Sequence, residues 1–416
     1  MISQDEGTAQ RSPRGGIDRK SNAPPEEVPL ELLAPLFALI LALGMFLSAV
    51  LPFGYVTEAA ARLRGGEILA TVWFSALAGL SLFVLSRWCA IQTMAFVAHC
   101  KVTRFQPDPP ATWPLVSILV PAYQESTTIA SALHALVDLD YPNYEIIIVD
   151  DGSLDDTFKQ ASSFVGSRSN CNIKLLRKPN GGKWSALNLA FKHASADFLL
   201  CIDADSRISR DALKRLIMRI DRPEVSGVSG QITVRNRRCM ITRLQAYEYV
   251  VANGGLRTAQ SLLGMVLVVP GPIGLYRREA LEHVFEKDTR ATHQFSRGMG
   301  KVPGPFSHET FAEDFQLSLT ILALGGRIVY EPSAVAYTKS PDLTQTLLSQ
   351  RYRWYRGTLQ VLRIYLQRLR HVPGSSKRWL NLVIATVYLL DLLVLPALNV
   401  IILLAVAIIA ATSARV

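Results

Sequence analysis

Two kinds of hydrophobic patterning divide the chain. From Leu32 to Val56 no charged side chain interrupts the sequence, and after a connector carrying Glu58, Arg62, Arg64 and Glu67 a second uncharged run extends from Ile68 to Ser86. Each run is long enough to cross about 30 Å of hydrocarbon as a helix, whereas buried helices of a soluble core are usually shorter and keep a polar face. Between Trp113 and Pro341 the texture changes to short β-branched runs alternating with amphipathic stretches, the pattern of an α/β unit with a mostly parallel sheet. The spacing predicts strands over Leu115–Val120, Tyr144–Val149, Ile173–Leu176 and Phe198–Ile202. It predicts helices over Thr127–Leu136, Thr157–Phe164, Lys183–Ala194 and Ser209–Ile220. Ligands of such a sheet gather at the carboxyl ends of its strands.

Beyond Pro341 the period becomes helical again. Leu348, Tyr352, Tyr355, Leu359, Leu362, Leu366 and Leu369 recur at spacings of four and three beside a row of Arg356, Arg363 and Arg370. This is a basic amphipathic helix, read as lying on a membrane surface, with a soluble surface helix as its rival. From Trp379 to Ser413 a last apolar run holds only Asp391 as a charge, with Pro396 near its middle, so it is one long kinked span or two short ones; one span is favoured. The expected plan is a disordered tail over 1–28, two transmembrane helices over 30–100, an α/β domain over 113–340, interfacial helices over 341–378 and a transmembrane segment over 379–413.

Charge sharpens this plan. The formal net charge is +10, and eight Lys or Arg against Asp342 alone fall between Pro341 and Leu380, beside the last apolar run. Basic residues flanking a span put that side in the cytosol, so the α/β domain is expected there, in an integral protein of the plasma or inner membrane. The same clustering argues against nucleic acid as a partner. Five cysteines without a C-x-x-C pair suggest neither a disulfide framework nor a structural zinc site.

The acidic residues sit where a ligand should be. Asp203 and Asp205 follow an apolar strand in Cys-Ile-Asp-Ala-Asp, and period-two alternation would turn both carboxylates to one side, as hard ligands for Mg²⁺ or Mn²⁺ on a diphosphate. Asp150 and Asp151 close another strand and could accept from a base or ribose, or form an Asx turn. Asn180-Gly181-Gly182-Lys183 precedes a helix and offers N–H groups and a cation to phosphate. Glu313 and Asp314 open a helix, where a carboxylate could take a proton from a hydroxyl or simply stabilise the helix start. Gln350-Arg351-Tyr352-Arg353-Trp354 joins a planar cation to an indole, suited to a leaving pyrophosphate and a sugar ring, or to an interfacial belt.

Taken in order, Val-Pro-Ala-Tyr-Gln-Glu at 120–125, Asp-Asp-Gly-Ser at 150–153, Asn-Gly-Gly-Lys at 180–183, Asp-Ala-Asp at 203–205, Glu-Asp at 313–314 and Q-x-x-R-W at 350–354 resemble glycosyltransferase family 2. More narrowly, they resemble its membrane synthases of hyaluronan, chitin oligosaccharide, poly-N-acetylglucosamine and cellulose. The resemblance implies a GT-A fold and a UDP-sugar donor held by Ala122, Tyr123, Glu125, Asp150, Asp151, Lys183 and Asp203. It implies Mg²⁺ or Mn²⁺ at Asp203 and Asp205, and Asp314 as the catalytic base beside Glu313. Gly271, Pro272 and Gly274 would belong to the acceptor-side wall, with Gln350, Arg353 and Trp354 as a gate. The implied activity is inverting β-transfer of N-acetylglucosamine or glucose to a growing polysaccharide, among membrane lipids and with an accessory export subunit. Single transfer to a lipid acceptor, as in ceramide glucosyltransferases, and a noncatalytic nucleotide-binding regulator are the alternatives. The sequence departs from the family's usual residues at Gln124, commonly Asn, and Ala312, commonly Thr.

Overall fold

The computed structural model describes residues 65–104, 109–168, 170–220, 222–287 and 302–369, with positions 380, 381, 384, 388, 396, 397 and 400. The expected tail, the first expected span and most of 379–413 lie outside the described residues. Helix α1 (Gly65–Arg104) runs 40 residues without a break. The uncharged run ending at Ser86 therefore does not mark the end of a helix. The part long and apolar enough to cross a membrane is Ala78–Cys100, and almost none of it is buried against the rest of the chain.

The α/β unit begins with β1 (Val116–Ala122), α2 (Ile129–Val137), β2 (Tyr144–Asp150), α3 (Thr157–Ser162), the short β3 (Gly166–Ser167), β4 (Cys171–Arg177), α4 (Lys183–His193) and β5 (Phe198–Cys201). It continues with β6 (Arg207–Ile208), α5 (Ala212–Ile220), β7 (Val225–Val234), α6 (Met240–Glu248), a wider π-helical turn over Tyr249–Gly255, α7 (Leu256–Leu262) and β8 (Gly274–Arg277). Then come α8 (Arg278–Lys287), α9 (Glu313–Ala323), β9 (Arg327–Thr338) and α10 (Thr344–Ile364). The nine described strands form one sheet in the order β3-β4-β2-β1-β5-β8-β7-β9-β6.

The central strands read as continuous apolar runs because both faces are covered. Along β1, Val116, Ile118 and Val120 enter one hydrophobic cluster, with Leu133 and Leu136 of α2 and Leu213 and Leu216 of α5. Leu119 points the other way, into a second cluster with Ala186 and Ala190 of α4 and Phe315 and Leu319 of α9. A one-residue slip of β1 would exchange the two sets, so its register is strongly specified.

The expected mostly parallel sheet is parallel only in part. Strands β4, β2, β1 and β5 lie side by side and parallel, and in chain order β1, β2, β4 and β5 follow one another through helical crossovers. Beyond β5 the sheet is mixed: β8 lies antiparallel between β5 and β7, and β7 pairs parallel with β9. The reason is connectivity, since the 39 residues between β7 and β8 hold two helices and a turn and return the chain in the opposite direction. The strand order reverses about β1, which opens a crevice at the carboxyl ends of β1 and β5.

The predicted amphipathic helix is α10, and its apolar stripe is not a core face. Leu348, Tyr352, Tyr355 and Leu359, with Leu366 in the π-helical turn Tyr365–Leu369 that follows, are exposed, while Gly357 and Val361 pack inward. Met240, Leu244, Tyr247 and Val250 of α6 and the following turn, and Leu85, Trp88 and Phe96 of α1, are exposed as well.

Candidate active site

The carboxyl end of β1 is stitched to the loop after β2. The Asp151 N–H donates to the Ala122 carbonyl at 2.8 Å, that of Gln124 to Ser153 Oγ at 3.0 Å, and that of Glu125 to Thr157 Oγ1 at 2.8 Å. Gln124 reaches these bonds in the left-handed region, at φ 56°. The short amide side chain of Asn tolerates that region better than the longer Gln, which fits the Asn common in the family; nothing in the structure explains Gln here. Gln124→Asn is therefore expected to stabilise the fold by about 0.5 kcal/mol, a fraction of the left-handed penalty, read as a raised melting temperature.

Asp150 and Asp151 are buried and committed to the protein. Asp150 pairs with Arg177 Nε at 3.0 Å and accepts from the Ser153 N–H at 3.2 Å. Asp151 pairs with Lys178 and accepts from the N–H groups of Gly181 at 3.0 Å and Gly182 at 2.8 Å. The Asn-Gly-Gly-Lys turn is thus tied to the end of β2 by one carboxylate. Gly182 has φ 92°, a conformation that favours glycine, and it delivers the chain into α4 with Lys183 as its first residue.

Lys183 meets the acids the sequence singled out. Its Nζ lies 2.6 Å from Asp203 Oδ1 and 3.4 Å from Glu313 Oε1. Burial works against its charge, but Asp203 and then Glu313 outweigh it and hold the ammonium above its ordinary range. β5 ends at Cys201, so a turn and not strand alternation places Asp203 and Asp205. Both nevertheless line one cleft. Burial first, and then the charge of Asp203, raises the Asp205 carboxyl, while the Ser206 hydroxyl donates to it at 2.8 Å. Glu125 is raised by burial, against a hydrogen bond from Thr128, and by the charges of Asp205 and Asp203, so it lies within the field of that pair.

The cleft has a volume of about 600 Å³ and is lined by Lys183, Asp203, Asp205, Gly271, Pro272, Glu313, Asp314, Gln350, Arg353 and Trp354 among others. Gly274 does not line it: it is buried in β8, where a Cβ would stand 2.6 Å from Val269. Ala122, Tyr123, Glu125, Asp150 and Asp151 lie outside that lining, at the adjoining ends of β1 and β2. Gly271 is a close approach, since a Cβ there would lie 2.6 Å from Lys183 Nζ and 3.1 Å from Asp203 Oδ2. Because the displaced group is the flexible end of a lysine, Gly271→Ala should fold normally. It should weaken the binding of a diphosphate ligand at Lys183 about tenfold, the effect of weakening one charge-assisted contact; calorimetric titration with UDP, with the melting temperature as control, checks this.

Asp314 lies in the first turn of α9, and Phe315 N–H donates to its Oδ1 at 2.8 Å. Burial, and next the neighbouring Glu313 carboxylate, push its carboxyl up to about 6. A carboxylate so raised is poised to exchange protons near neutral pH. Two supports were not legible in the sequence. Asn188 of α4 accepts from the Phe306 N–H at 3.0 Å and donates to the carbonyls of Phe306 and Val302 at 2.9 Å each, so the helix that carries Lys183 also holds the segment leading to Asp314. Gly357 of α10 sits against Ala312, where a Cβ would lie 2.8 Å from the Ala312 Cβ.

Arg351, the residue inside the Q-x-x-R-W motif that carried no expected role, makes a two-pronged pair with Glu248 at 2.8 and 2.5 Å and stands 4.6 Å over the Trp354 ring. It orients the indole at the cleft mouth. A second residue missed in the sequence, Arg257, also lines the cleft; nothing in its surroundings along the chain marks it.

Two hard carboxylates lining one cleft, one of them raised by burial and then by the charge of the other, are a donor set that fits a divalent cation when a ligand's phosphates complete the shell. Among the described residues no group of three or more His, Cys, Asp or Glu forms a self-sufficient metal site.

Residues 117–285 match the profile of Glycosyl transferase family 2. The chain is similar to a poly-beta-1,6-N-acetyl-D-glucosamine synthase of Staphylococcus epidermidis, 30% identical over 59% of this chain and 55% of that one. It is also similar to an N-acetylglucosaminyltransferase of Rhizobium meliloti, 33% identical over 62% of this chain and 58% of that one. It thus spans little more than half the length of these curated relatives. Among solved structures, a mannosyltransferase of Pyrobaculum calidifontis in complex with GDP-Man and Mn²⁺ shares the fold, with a TM-score of 0.50 and 22% identity over 70% of this chain and 80% of that one. The α/β unit with its mixed sheet is GT-A-like.

Proposed function

We propose, on the premise that residues 117–285 carry a glycosyl transferase family 2 domain, that the chain transfers N-acetylglucosamine from UDP-N-acetylglucosamine to the end of a growing polysaccharide, with inversion at the anomeric carbon. The observation that carries this reading is the meeting of Lys183, Asp203, Asp205, Glu313 and Asp314 with Gln350, Arg353 and Trp354 around one cleft. The relatives' names supply the sugar.

In this reading the Asp314 carboxylate accepts the proton of the acceptor hydroxyl. The hydroxyl oxygen forms its bond to the anomeric carbon as the bond to the UDP oxygen breaks, and UDP leaves with the electron pair. Lys183 and Arg353 face the developing negative charge on the diphosphate. Asp203 and Asp205 would hold Mg²⁺ or Mn²⁺, which when bound neutralises diphosphate charge. Glu125, with Ala122 and Tyr123, borders the nucleotide end; Asp151 acts there by holding the Asn-Gly-Gly-Lys turn, and Asp150 by fixing the loop after β2 through Arg177 and the Ser153 N–H. Trp354, steadied by Arg351, offers a flat face to an acceptor sugar.

The exposed apolar side chains of α1, α6 and α10 support a membrane setting, since so many large apolar side chains left uncovered suit a lipid contact. The α/β unit would then sit on the cytosolic face, with Ala78–Cys100 crossing the bilayer. The deciding experiment is UDP release by detergent-purified protein with UDP-N-acetylglucosamine, UDP-glucose or UDP-glucuronate, with and without Mg²⁺ or Mn²⁺, followed by product sizing. Metal-dependent release with the first donor and a ladder of products is expected. One sugar on lipid would replace the polymerising reading, and no release with any donor would overturn the enzymatic one.

A further inference from the structure

Arg257 is the buried cation that the proposed chemistry leaves unused. It sits at the second position of α7, is only 8% exposed, and lines the cleft together with Asp314, Tyr249 and Gln350. Among the described residues no ion pair forms on it, and its Nη1 is buried without a hydrogen-bond partner. Burial lowers its proton affinity, and the surrounding Tyr330, Asp314, Tyr388 and Tyr249 only partly restore it. A buried guanidinium with no close counter-charge weakens a fold, so packing gives no reason for an arginine here.

Its position relative to Asp314 indicates what compensates it. Lys183 lies in the field of Asp203, Glu313 and Asp314, and those acids mark the donor side. Arg257 shares only Asp314 with that set; its other neighbours are phenols. Asp314 is thus the acid whose charge reaches both cations, and it lines the same cleft as Lys183 and Arg257. The cleft also contains a buried acceptor without a partner, Gln350 Oε1. An unpaired donor and an unpaired acceptor among the residues lining one cleft suit a ligand carrying both functions, such as the hydroxyl or amide groups of a sugar. An anion fits less well, because four carboxylates already line the cleft.

We infer that Arg257 is an acceptor-binding residue, whose guanidinium donates to a hydroxyl or amide oxygen of the acceptor saccharide and so holds the attacking hydroxyl at Asp314. This rests on the reading of the cleft as a glycosyl-transfer site. The test uses the full chain in detergent, with Arg257→Met and Arg257→Lys, UDP-N-acetylglucosamine as donor and a β-1,6-linked N-acetylglucosamine tetramer as acceptor. Arg257→Met is expected to raise the acceptor KM about 10- to 100-fold, as loss of a charge-assisted hydrogen bond implies, with the donor KM unchanged and the melting temperature equal or higher. Arg257→Lys keeps the charge without the planar fork and should fall between. An unchanged acceptor KM, a donor KM rising in step, or a lowered melting temperature would overturn the inference, the last assigning Arg257 to the scaffold. Inorganic phosphate competing with the tetramer would overturn the choice of a sugar. If wild type transfers nothing, the function proposed above fails; direct binding of the tetramer, by saturation-transfer NMR on wild type and Arg257→Met, still decides the role of Arg257.

Discussion

Asp314→Asn should lower kcat about 10²- to 10⁴-fold, the range that a positioned general base contributes, while UDP affinity stays within about twofold. The amide keeps the shape at the start of α9 and the contact with the Phe315 N–H but cannot take a proton. The wild-type enzyme should show an acid limb in kcat with an apparent pKa near 6, because burial and Glu313 raise the Asp314 carboxyl to about that value and only its ionised form accepts the acceptor's proton. The sign for stability is opposite. With a folded value near 6 against an ordinary 3.8, the folded state holds the proton more tightly than the unfolded one. Stability from this site is full below the ordinary value and is lost as pH rises through about 6. Asp314→Asn should therefore melt higher than wild type at pH 7 while transferring almost nothing. Normal turnover in the variant would remove Asp314 from the base role.

The paired change Asp203→Ala with Asp205→Ala should weaken UDP-sugar binding in Mg²⁺ or Mn²⁺ about 10²- to 10³-fold, the scale of losing several kcal/mol of charge neutralisation at a diphosphate. Chelation by EDTA should do the same to wild type and add little to the double variant. Calorimetric titration with UDP, with and without metal, checks both. A double variant whose UDP affinity still responds to metal would place the cation elsewhere. Lys183 separates the two effects, since without Asp203 its Nζ keeps only Glu313 at 3.4 Å and should lose part of its raised proton affinity.

Much of this was readable along the chain. Four of the first five strands, β1, β2, β4 and β5, announced themselves as short, largely apolar runs, because a strand covered on both faces keeps few polar positions; the two-residue β3 did not. The acids at 150–151, 203–205 and 313–314 stood at the ends or starts of elements, where α/β sheets collect ligands. The basic amphipathic pattern of α10 was equally plain, because its period of 3.6 is a local property.

Side-chain partnership was not readable, because it joins residues far apart in sequence. Asp151 looked like a ligand for a base or ribose; folding brings the glycine turn 30 residues on around it and uses both its oxygens. Gly274 belonged to a motif that faces an acceptor, yet antiparallel β8 turns it into the sheet, a direction set by the long return from β7 and not by any local signal. Asn188, Gly357 and Arg257 carried no motif, and Arg351 had no expected role within one. Their roles come from elements meeting across the fold: Asn188 and Gly357 with the segment before Asp314, Arg351 with Glu248 of α6, and Arg257 with the other residues of the cleft. Local periodicity and residue chemistry determine which elements form and which carboxylates are available, because both act within a few residues. Which carboxylates face the cleft, which are spent holding a turn, and which cation is left uncompensated depend on packing across the sheet, where burial and charge act between segments that the chain separates by tens of residues, as for Asp151 and Gly181, to more than a hundred, as for Lys183 and Glu313.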